Sequence, residues 1–126
     1  MKAAKVVWTY KAQRNAPIRS SAAVSEDLVI FGSRDKLVTA LRAKDGQKAW
    51  SFATRSRVDG SPVVVGERVF IGSADGRLYA LDRETGHKLW DYEAGGRFTS
   101  SPAVARGKLV IGNEDGTLYC FGSKQP

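Results

Sequence analysis

Short apolar runs alternate with polar turns between residues 61 and 93, in a pattern typical of β-strands. The pattern predicts four strands, at residues 61–65, 68–73, 77–82 and 87–93. Asp75 and Gly76, between the second and third runs, favour a type I′ hairpin, because both central residues of that turn need positive φ. Connections of a few residues force neighbouring strands to pair antiparallel, so the segment is predicted to be a four-stranded meander.

The same pattern occurs three times with a period of about 40 residues. Residues of one type recur at this spacing: Ser21, Ser61 and Ser101; Gly32, Gly72 and Gly112; Asp35, Asp75 and Asp115. Each predicted sheet is apolar on both faces, and stacking against like neighbours is the way to bury both. The sequence therefore predicts an all-β fold, a β-propeller of four-stranded antiparallel blades with about three blades in the chain. Residues 1–126 form a single repeat domain, with blades at approximately 18–57, 58–97 and 98–122.

The two ends of the repeat do not match a whole number of blades. A lead strand is predicted at residues 6–11, with Trp8 and Tyr10, and it lacks a blade of its own. Copy three stops near Gly122, without a Trp-bearing fourth strand. We hypothesise that the lead strand of one protomer completes the third blade of its neighbour, head to tail. Two protomers would give six blades, within the usual range of about 4–8, and three would give nine. The alternative is that the missing blades belong to a longer chain.

Charge and composition exclude several classes of protein. The net charge is +7, but the 20 Lys and Arg residues are spread among strands and turns and form no dense run, so a nucleic-acid partner is not expected. No apolar run approaches the length of about 20 residues that a membrane span needs. The apolar run near the start of the sequence is too short for the apolar region of a secretory signal. The single cysteine, Cys120, cannot form an internal disulfide and is interpreted as a small apolar residue within a strand.

Candidate chemistry is sparse. His87 is the only histidine and has no companion at a metal-binding spacing, so we expect no catalytic site, no metal ion and no cofactor. The recurring Asp-Gly pairs are explained by hairpin turns. One pattern favours a binding site: Arg19, Arg57 and Arg97 precede the three first strands, with Asp59 close to Arg57. Placed at one mouth of a central channel, these arginines would form a collar for an anion or an acidic peptide. Ordinary solvation of loops is the alternative interpretation.

The stretch from residue 80 to residue 90 resembles the tryptophan-docking motif of the PQQ-type propeller repeats. It carries every fixed residue of that motif: Ala80, Asp82, Thr85, Gly86 and Trp90. The resemblance covers essentially the whole chain, and the family includes quinoprotein alcohol dehydrogenases and BamB-like outer-membrane assembly lipoproteins. It implies a propeller, commonly eight-bladed in the family, in which the tryptophan packs between blades while Asp and Thr fix the turn.

The resemblance implies that Trp8, Trp50 and Trp90 have a structural role. The alternative is that these tryptophans form a surface that binds a cofactor or a sugar. Copy one has Arg42 and Asp45 where the motif has Asp and Thr, so one docking site is expected to be weakened.

The function that we expect is that of a non-catalytic propeller scaffold for protein–protein contact, with a ring closed by homo-oligomerisation. A ligand-binding or sensory module of a larger protein is the first alternative. A fragment of a PQQ-dependent dehydrogenase is the second, and it is disfavoured because the family's dehydrogenases use a vicinal disulfide that one cysteine cannot form. By resemblance alone, the cell envelope or periplasm is the expected location.

Overall fold

Three antiparallel sheets make up the computed structural model, which describes residues 4–122. The strands are β1 (Ala23–Ser25), β2 (Leu28–Gly32), β3 (Leu37–Arg42), β4 (Lys48–Ala53), β5 (Val63–Val65), β6 (Arg68–Gly72), β7 (Arg77–Asp82), β8 (Lys88–Glu93), β9 (Ala103–Ala105), β10 (Lys108–Gly112) and β11 (Leu118–Gly122). One 3₁₀ turn, Gln13–Asn15, precedes them. The sheet orders are β1-β2-β3-β4, β5-β6-β7-β8 and β9-β10-β11, which we call blades one, two and three. The all-β, blade-by-blade fold is thus confirmed.

Blades one and two share one register, because their hairpins have the same length. Val38 lies opposite Phe52 in blade one, as Leu78 lies opposite Tyr92 in blade two. Both ladders contain an irregularity one residue after the alanine that faces the tryptophan. The hairpin between β2 and β3 has Lys36 where the other blades have glycine, and Lys36 adopts a φ of 75°. The turn geometry is therefore kept at the cost of backbone strain of about 1 kcal/mol. The type I′ turn predicted at Asp75 and Gly76 is wrong, because Gly76 has a φ of 87° but Asp75 has no positive φ.

The main core lies between blades one and two. Its fully buried side chains come from both sheets and from the connection between them; among them are Leu28, Ile30, Val38, Val58, Val69, Ile71 and Leu81. A second, smaller cluster joins blade two to blade three around Phe98 and Ile111. Face-to-face stacking thus covers blade two on both sides, as the apolar pattern predicts, while blades one and three are each covered on one side within residues 4–122.

The first strands of neighbouring blades approach each other most closely, and serines connect them. The backbone N–H of Ser21 donates to the Ser61 hydroxyl at 2.7 Å, and the N–H of Ser61 donates to the Ser101 hydroxyl at 2.8 Å. We call this series the serine ladder. It joins the beginnings of β1, β5 and β9 by one hydrogen bond between each pair of neighbouring blades, so the first strands form the inner rim of the stack.

Residues 6–11, predicted as a lead strand, are not part of any strand within residues 4–122. A strand needs a hydrogen-bonding neighbour, and the third strands of blades one and two are already paired with β4 and β8. We call residues 4–12 the lead segment. It extends across the outside of blade one, where Trp8 and Tyr10 are half-buried. Within residues 4–122 no helix is long and apolar enough to cross a bilayer.

Candidate functional site

The contact between blades one and two is centred on Trp50, the tryptophan of β4. Trp50 is only 7% exposed, and its indole Nε1 donates to the carbonyl oxygen of Arg83 at 2.8 Å. Its ring lies against Gly86, whose φ is 77°. A Cβ at Gly86 would overlap the ring, so this glycine is needed for the close approach as well as for the backbone conformation. The indole therefore fastens the outer edge of one blade to a turn of the next.

The turn that receives Trp50 is fixed by its own side chains. Asp82 Oδ1 accepts hydrogen bonds from the N–H groups of Glu84 at 2.8 Å and Thr85 at 3.2 Å. The Thr85 hydroxyl accepts from the N–H of His87 at 3.2 Å. Ala80 lies opposite Trp90 in the ladder between β7 and β8. The five residues of the motif thus lie together, and His87 is exposed beside them.

Trp8 occupies the corresponding position on blade one. Its Nε1 donates to the carbonyl oxygen of Ala43 at 2.8 Å, and its ring lies against Gly46. The contact is formed although Arg42 and Asp45 replace the Asp and Thr of the motif. Asp45 Oδ1 accepts from the N–H of Gln47 at 3.0 Å and so supports the turn in place of the threonine. The expected weakening of this site is not visible in the length of the indole hydrogen bond.

Trp90 has the same position in blade two, and no docking turn receives it within residues 4–122. It is 41% exposed, and its ring packs edge-on against Phe121 with centroids 5.6 Å apart. The repeat equivalents of Arg83 and Gly86 are residues 123 and 126, which lie outside the described part of the chain. A groove of about 640 Å³ lies between blades two and three, lined by Trp90, Leu89, Phe121 and Val104 among others. Its walls are mainly apolar, since they are the faces of two blades, but Arg68 and Lys108 also line it.

The outer edge of blade three is the other open feature. In blades one and two the third strand is covered by a fourth strand, and Val38 and Leu78 are fully buried. In blade three the equivalent residue on β11, Leu118, is 72% exposed. Cys120, the free cysteine, lies on the same strand and is also exposed. Within residues 4–122 no strand pairs with the outer edge of β11, and such an edge invites pairing with another strand.

The predicted arginine collar is only partly assembled. Arg57 Nε donates to Asp59 at 3.1 Å, while Arg19 and Arg97 are exposed. Arg34, which the sequence pattern did not single out, also binds Asp59 through two hydrogen bonds of 2.9 and 3.0 Å. The hydrogen bond from Arg34 is the main cause that lowers the pKa of the Asp59 carboxyl below its ordinary value of 3.8. Asp59 thus neutralises part of the charge at this rim, and an anion-binding role for Arg19, Arg57 and Arg97 stays a prediction.

Arg83 is a second residue that was not identified from the sequence. Its side chain is 4% exposed, and its Nη2 lies 2.8 Å from Glu84, 3.2 Å from Glu67 and 3.8 Å from Glu26. Glu26 and Glu67 belong to the first turns of blades one and two. The guanidinium therefore links two blades beside the Trp50 contact. In the sequence, this ion pair could have been inferred only from the glutamate that occurs at the same turn of both repeats.

The donor set does not fit the cofactor chemistry of the family's dehydrogenases. Within residues 4–122 no three His, Cys, Asp or Glu side chains come close enough to hold a metal ion. Cys120 is the only cysteine in the sequence, so the vicinal disulfide that lies near the quinone in those enzymes has no counterpart here. Neither PQQ nor calcium has an evident site among the described residues.

Fold and repeat together define a segment of a β-propeller of PQQ-type repeats. The sequence model of the family described as outer membrane protein assembly factor BamB matches residues 2–125, and the chain belongs to this family. No curated protein sequence matches the chain.

Solved structures agree on the fold. BamB from Moraxella catarrhalis has a TM-score of 0.79 at 21% identity, with 94% of this chain and 38% of that one covered. Quinohemoprotein alcohol dehydrogenase ADHIIG from Pseudomonas putida HK5 has a TM-score of 0.86 at 24% identity, covering 94% and 21%. The computationally designed Ika4 protein has a TM-score of 0.70 at 22% identity, covering 80% and 63%. The chain therefore spans only a part of each of these proteins.

Proposed function

We propose that this chain is a non-catalytic propeller scaffold, which closes its ring with further copies of itself and presents the ring to other proteins. The distribution of exposed apolar side chains carries the proposal. Within residues 4–122 ten large hydrophobic side chains are exposed. The leading surface, on blade one and the lead segment, comprises Val6, Val7, Ile18 and Val24. Val65, Leu89, Trp90 and Val104 line the groove between blades two and three, and Tyr92 belongs to the outer strand of blade two. The trailing surface is the outer edge of blade three, where Leu118 is 72% exposed.

The position of these surfaces explains why self-association is favoured. Soluble monomers rarely expose contiguous apolar patches, and larger ones mark contact sites. The leading surface is the side of blade one that would face a preceding blade, and the trailing surface is the edge of β11, which has no fourth strand beside it within residues 4–122. Contact between unlike surfaces, repeated by rotation, closes a ring. Two copies give six blades, which lies within the range of about 4–8 that propellers use.

A non-catalytic role is supported by what the polar residues do. His87 is exposed beside a turn, and the half-buried carboxylates of Asp59, Asp75 and Asp91 bind arginine, tyrosine or lysine side chains of the fold. Each of these three carboxylates has a structural partner. The description of the family as an assembly factor of the outer membrane supports contact with other proteins and a location in the cell envelope. Fractionation of the native host would test that location.

The mass of the purified chain in solution tests ring closure. We expect light scattering to give twice the chain mass of 13.7 kDa over a wide range of concentration. Leu118→Lys places a charge on the trailing surface and should give a folded monomer. Gln47→Lys adds the same charge to an exposed turn outside both surfaces and should leave the assembly unchanged. A wild-type chain that stays monomeric and well folded would exclude closure by self-association.

Addition of PQQ with calcium tests the non-catalytic part of the proposal. We expect no change in the absorbance spectrum of the quinone and no rise in the melting temperature of the protein. A saturable spectral change at a ratio of one quinone per ring would show a cofactor site. It would make the chain part of a dehydrogenase-like protein, and the scaffold role would be wrong.

A further inference from the structure

We propose that the lead segment of a second copy of this chain forms the fourth strand of blade three, with Tyr10 opposite Leu118 and Trp8 opposite Cys120. This inference rests on the ring closure proposed above and specifies the contact that makes it. It specifies which residues of the two strands lie opposite each other, and hence on which face of the blade each side chain of the lead segment lies. The contacts that join blade one to blade two are only partly made at the two ends of the stack within residues 4–122. The missing partners of these contacts define what a second copy would have to supply.

The lead segment has the sequence character of a fourth strand. Trp8 is followed two residues later by Tyr10, as Trp50 is by Phe52 and Trp90 by Tyr92. In the two complete blades the tryptophan pairs with an alanine of the third strand, and the second aromatic residue pairs with Val38 or Leu78. The residues of β11 at these two positions are Cys120 and Leu118, both small or apolar and both exposed.

A fourth strand and the connection after it make two sets of contacts, one with the following blade and one with their own blade. The lead segment makes the indole hydrogen bond and the backbone hydrogen bond to aspartate of the first set. The Trp8 indole hydrogen bond of 2.8 Å matches that of Trp50. The N–H of Gln13 donates to Asp35 at 3.2 Å, as the N–H of Arg55 donates to Asp75 at 3.1 Å. The lead segment is thus already held in the position of an outermost strand.

The second set is missing within residues 4–122. The N–H of Thr54 donates to the carbonyl of Lys36, and the N–H of Val58 donates to that of Ser33, both in the same blade as β4. Blade two repeats the two bonds, from Ala94 to Gly76 and from Phe98 to Ser73. The equivalent donors of the lead segment are Ala12 and Ile18, and neither N–H has a partner among the described residues.

The missing acceptors are available at the other end of the stack. By the repeat, Ala12 requires the carbonyl of Gly116, and Ile18 requires that of Asn113, both beside the open edge of β11. The serine ladder stops in the same way: Ser101 would next donate to the hydroxyl of Ser21. A second copy supplies every one of these groups in the required order. Another partner would need the same order of donors and acceptors along a strand.

The register is strongly defined, because a slip by one residue would turn Trp8 and Tyr10 to the opposite face of the blade. In the complete blades the pair one residue outside the aromatic pair is Leu37 with Ala53, or Arg77 with Glu93. Its counterpart across the proposed contact is Thr117 with Lys11. Both side chains are exposed, so substitutions there should not disturb the fold of one chain.

Disulfide trapping tests this register. Lys11→Cys and Thr117→Cys, combined in a Cys120→Ser background, should give a covalent dimer upon mild oxidation, because directly opposite residues of antiparallel strands have Cα atoms about 4.5–5.5 Å apart, which suits a disulfide. The matched control, Lys11→Cys with Leu118→Cys, places the second thiol on the other face of β11 and should give at least about tenfold less dimer. A covalent trimer in place of the dimer would overturn the six-bladed ring.

The mass of the Cys120→Ser parent separates the two levels of the proposal. If the parent is a dimer but both double-cysteine variants crosslink equally, or neither does, the strand exchange is wrong while ring closure by self-association stands. If the parent is a monomer, ring closure itself is wrong. A dimeric parent with crosslinking confined to Lys11→Cys and Thr117→Cys is the result that we expect.

Discussion

Trp50 and Trp90 occupy the same position in consecutive repeats, yet they have opposite environments. Trp50 is 7% exposed and hydrogen-bonded to the turn of the next blade, whereas Trp90 is 41% exposed and borders a groove. The strands around them have the same register. The difference therefore comes from the neighbour that each tryptophan faces: the docking turn of blade two in one case and, within residues 4–122, the three-stranded blade three in the other. Each interface between blades needs a tryptophan from one blade and a docking turn from the next, so one blade alone provides only half of it.

Truncation of the two tryptophans is the strongest test of this comparison. Trp50→Ala should lower the free energy of unfolding by about 3–5 kcal/mol, since it leaves a cavity in the main core. Trp90→Ala should cost about 1–2 kcal/mol, because much of that ring remains in water. Urea unfolding measures both, in the Leu118→Lys background so that assembly does not contribute. Equal losses would show that the two interfaces are equivalent in solution.

Glycine substitutions sharpen the comparison at the docking turn. Gly86→Ala should cost about 3 kcal/mol, because a Cβ would overlap the Trp50 ring and the φ of 77° is unfavourable for alanine. Gly107→Ala is the control, with a φ of 74° and open space around the added Cβ, and should cost only about 1 kcal/mol. Thermal unfolding of the two variants gives the difference due to packing alone. Similar losses would mean that Trp50 can shift away at little cost.

The smallest effect concerns the ion pairs that join the first two blades at the rim. The pKa of Asp59 is lowered by Arg34 in the folded chain, so the pair adds stability above the ordinary pKa of 3.8, and that stability is lost as the pH falls. Asp59→Asn should cost about 1 kcal/mol at neutral pH and clearly less at an acid pH below 3.8, because the cost falls as the pH drops through the lowered pKa of the folded carboxyl. Asp27→Asn, which removes a far more exposed pair with Arg42, should cost less at either pH. Chemical denaturation at the two pH values measures these costs, and a cost for Asp59→Asn that does not change with pH would contradict the ionic origin of the effect.

The fold could be predicted from the sequence because the repeat supplies the same information three times. The strands of blade two differ from the prediction by two residues at most at their ends. The antiparallel meanders follow from the short turns between Val65 and Lys88. The strand predicted at residues 6–11 is not formed within residues 4–122. An alternating pattern can identify a segment that is able to form a strand, but it does not show which strand, if any, pairs with that segment.

The sites at the blade contacts were only partly predictable. The motif residues of the docking turn could be recognised from their spacing. Arg34 and Asp59 could not be paired in advance, because they are 25 residues apart and each departs from the repeat. Their contact depends on how two blades stack, which no local pattern encodes. The exposure of the Leu118 side chain likewise depends on the absence of a neighbouring strand within residues 4–122.

The serine ladder and the indole contacts together determine the angle between blades. At the inner rim the spacing of blades is limited by hydrogen bonds of 2.7 and 2.8 Å, and at the outer rim it is set by the width of an indole ring. Two blades held closely at one side and apart at the other form a wedge. The size of that wedge determines how many blades complete a full turn, so a bulkier spacer outside or a shorter link inside would favour a smaller propeller.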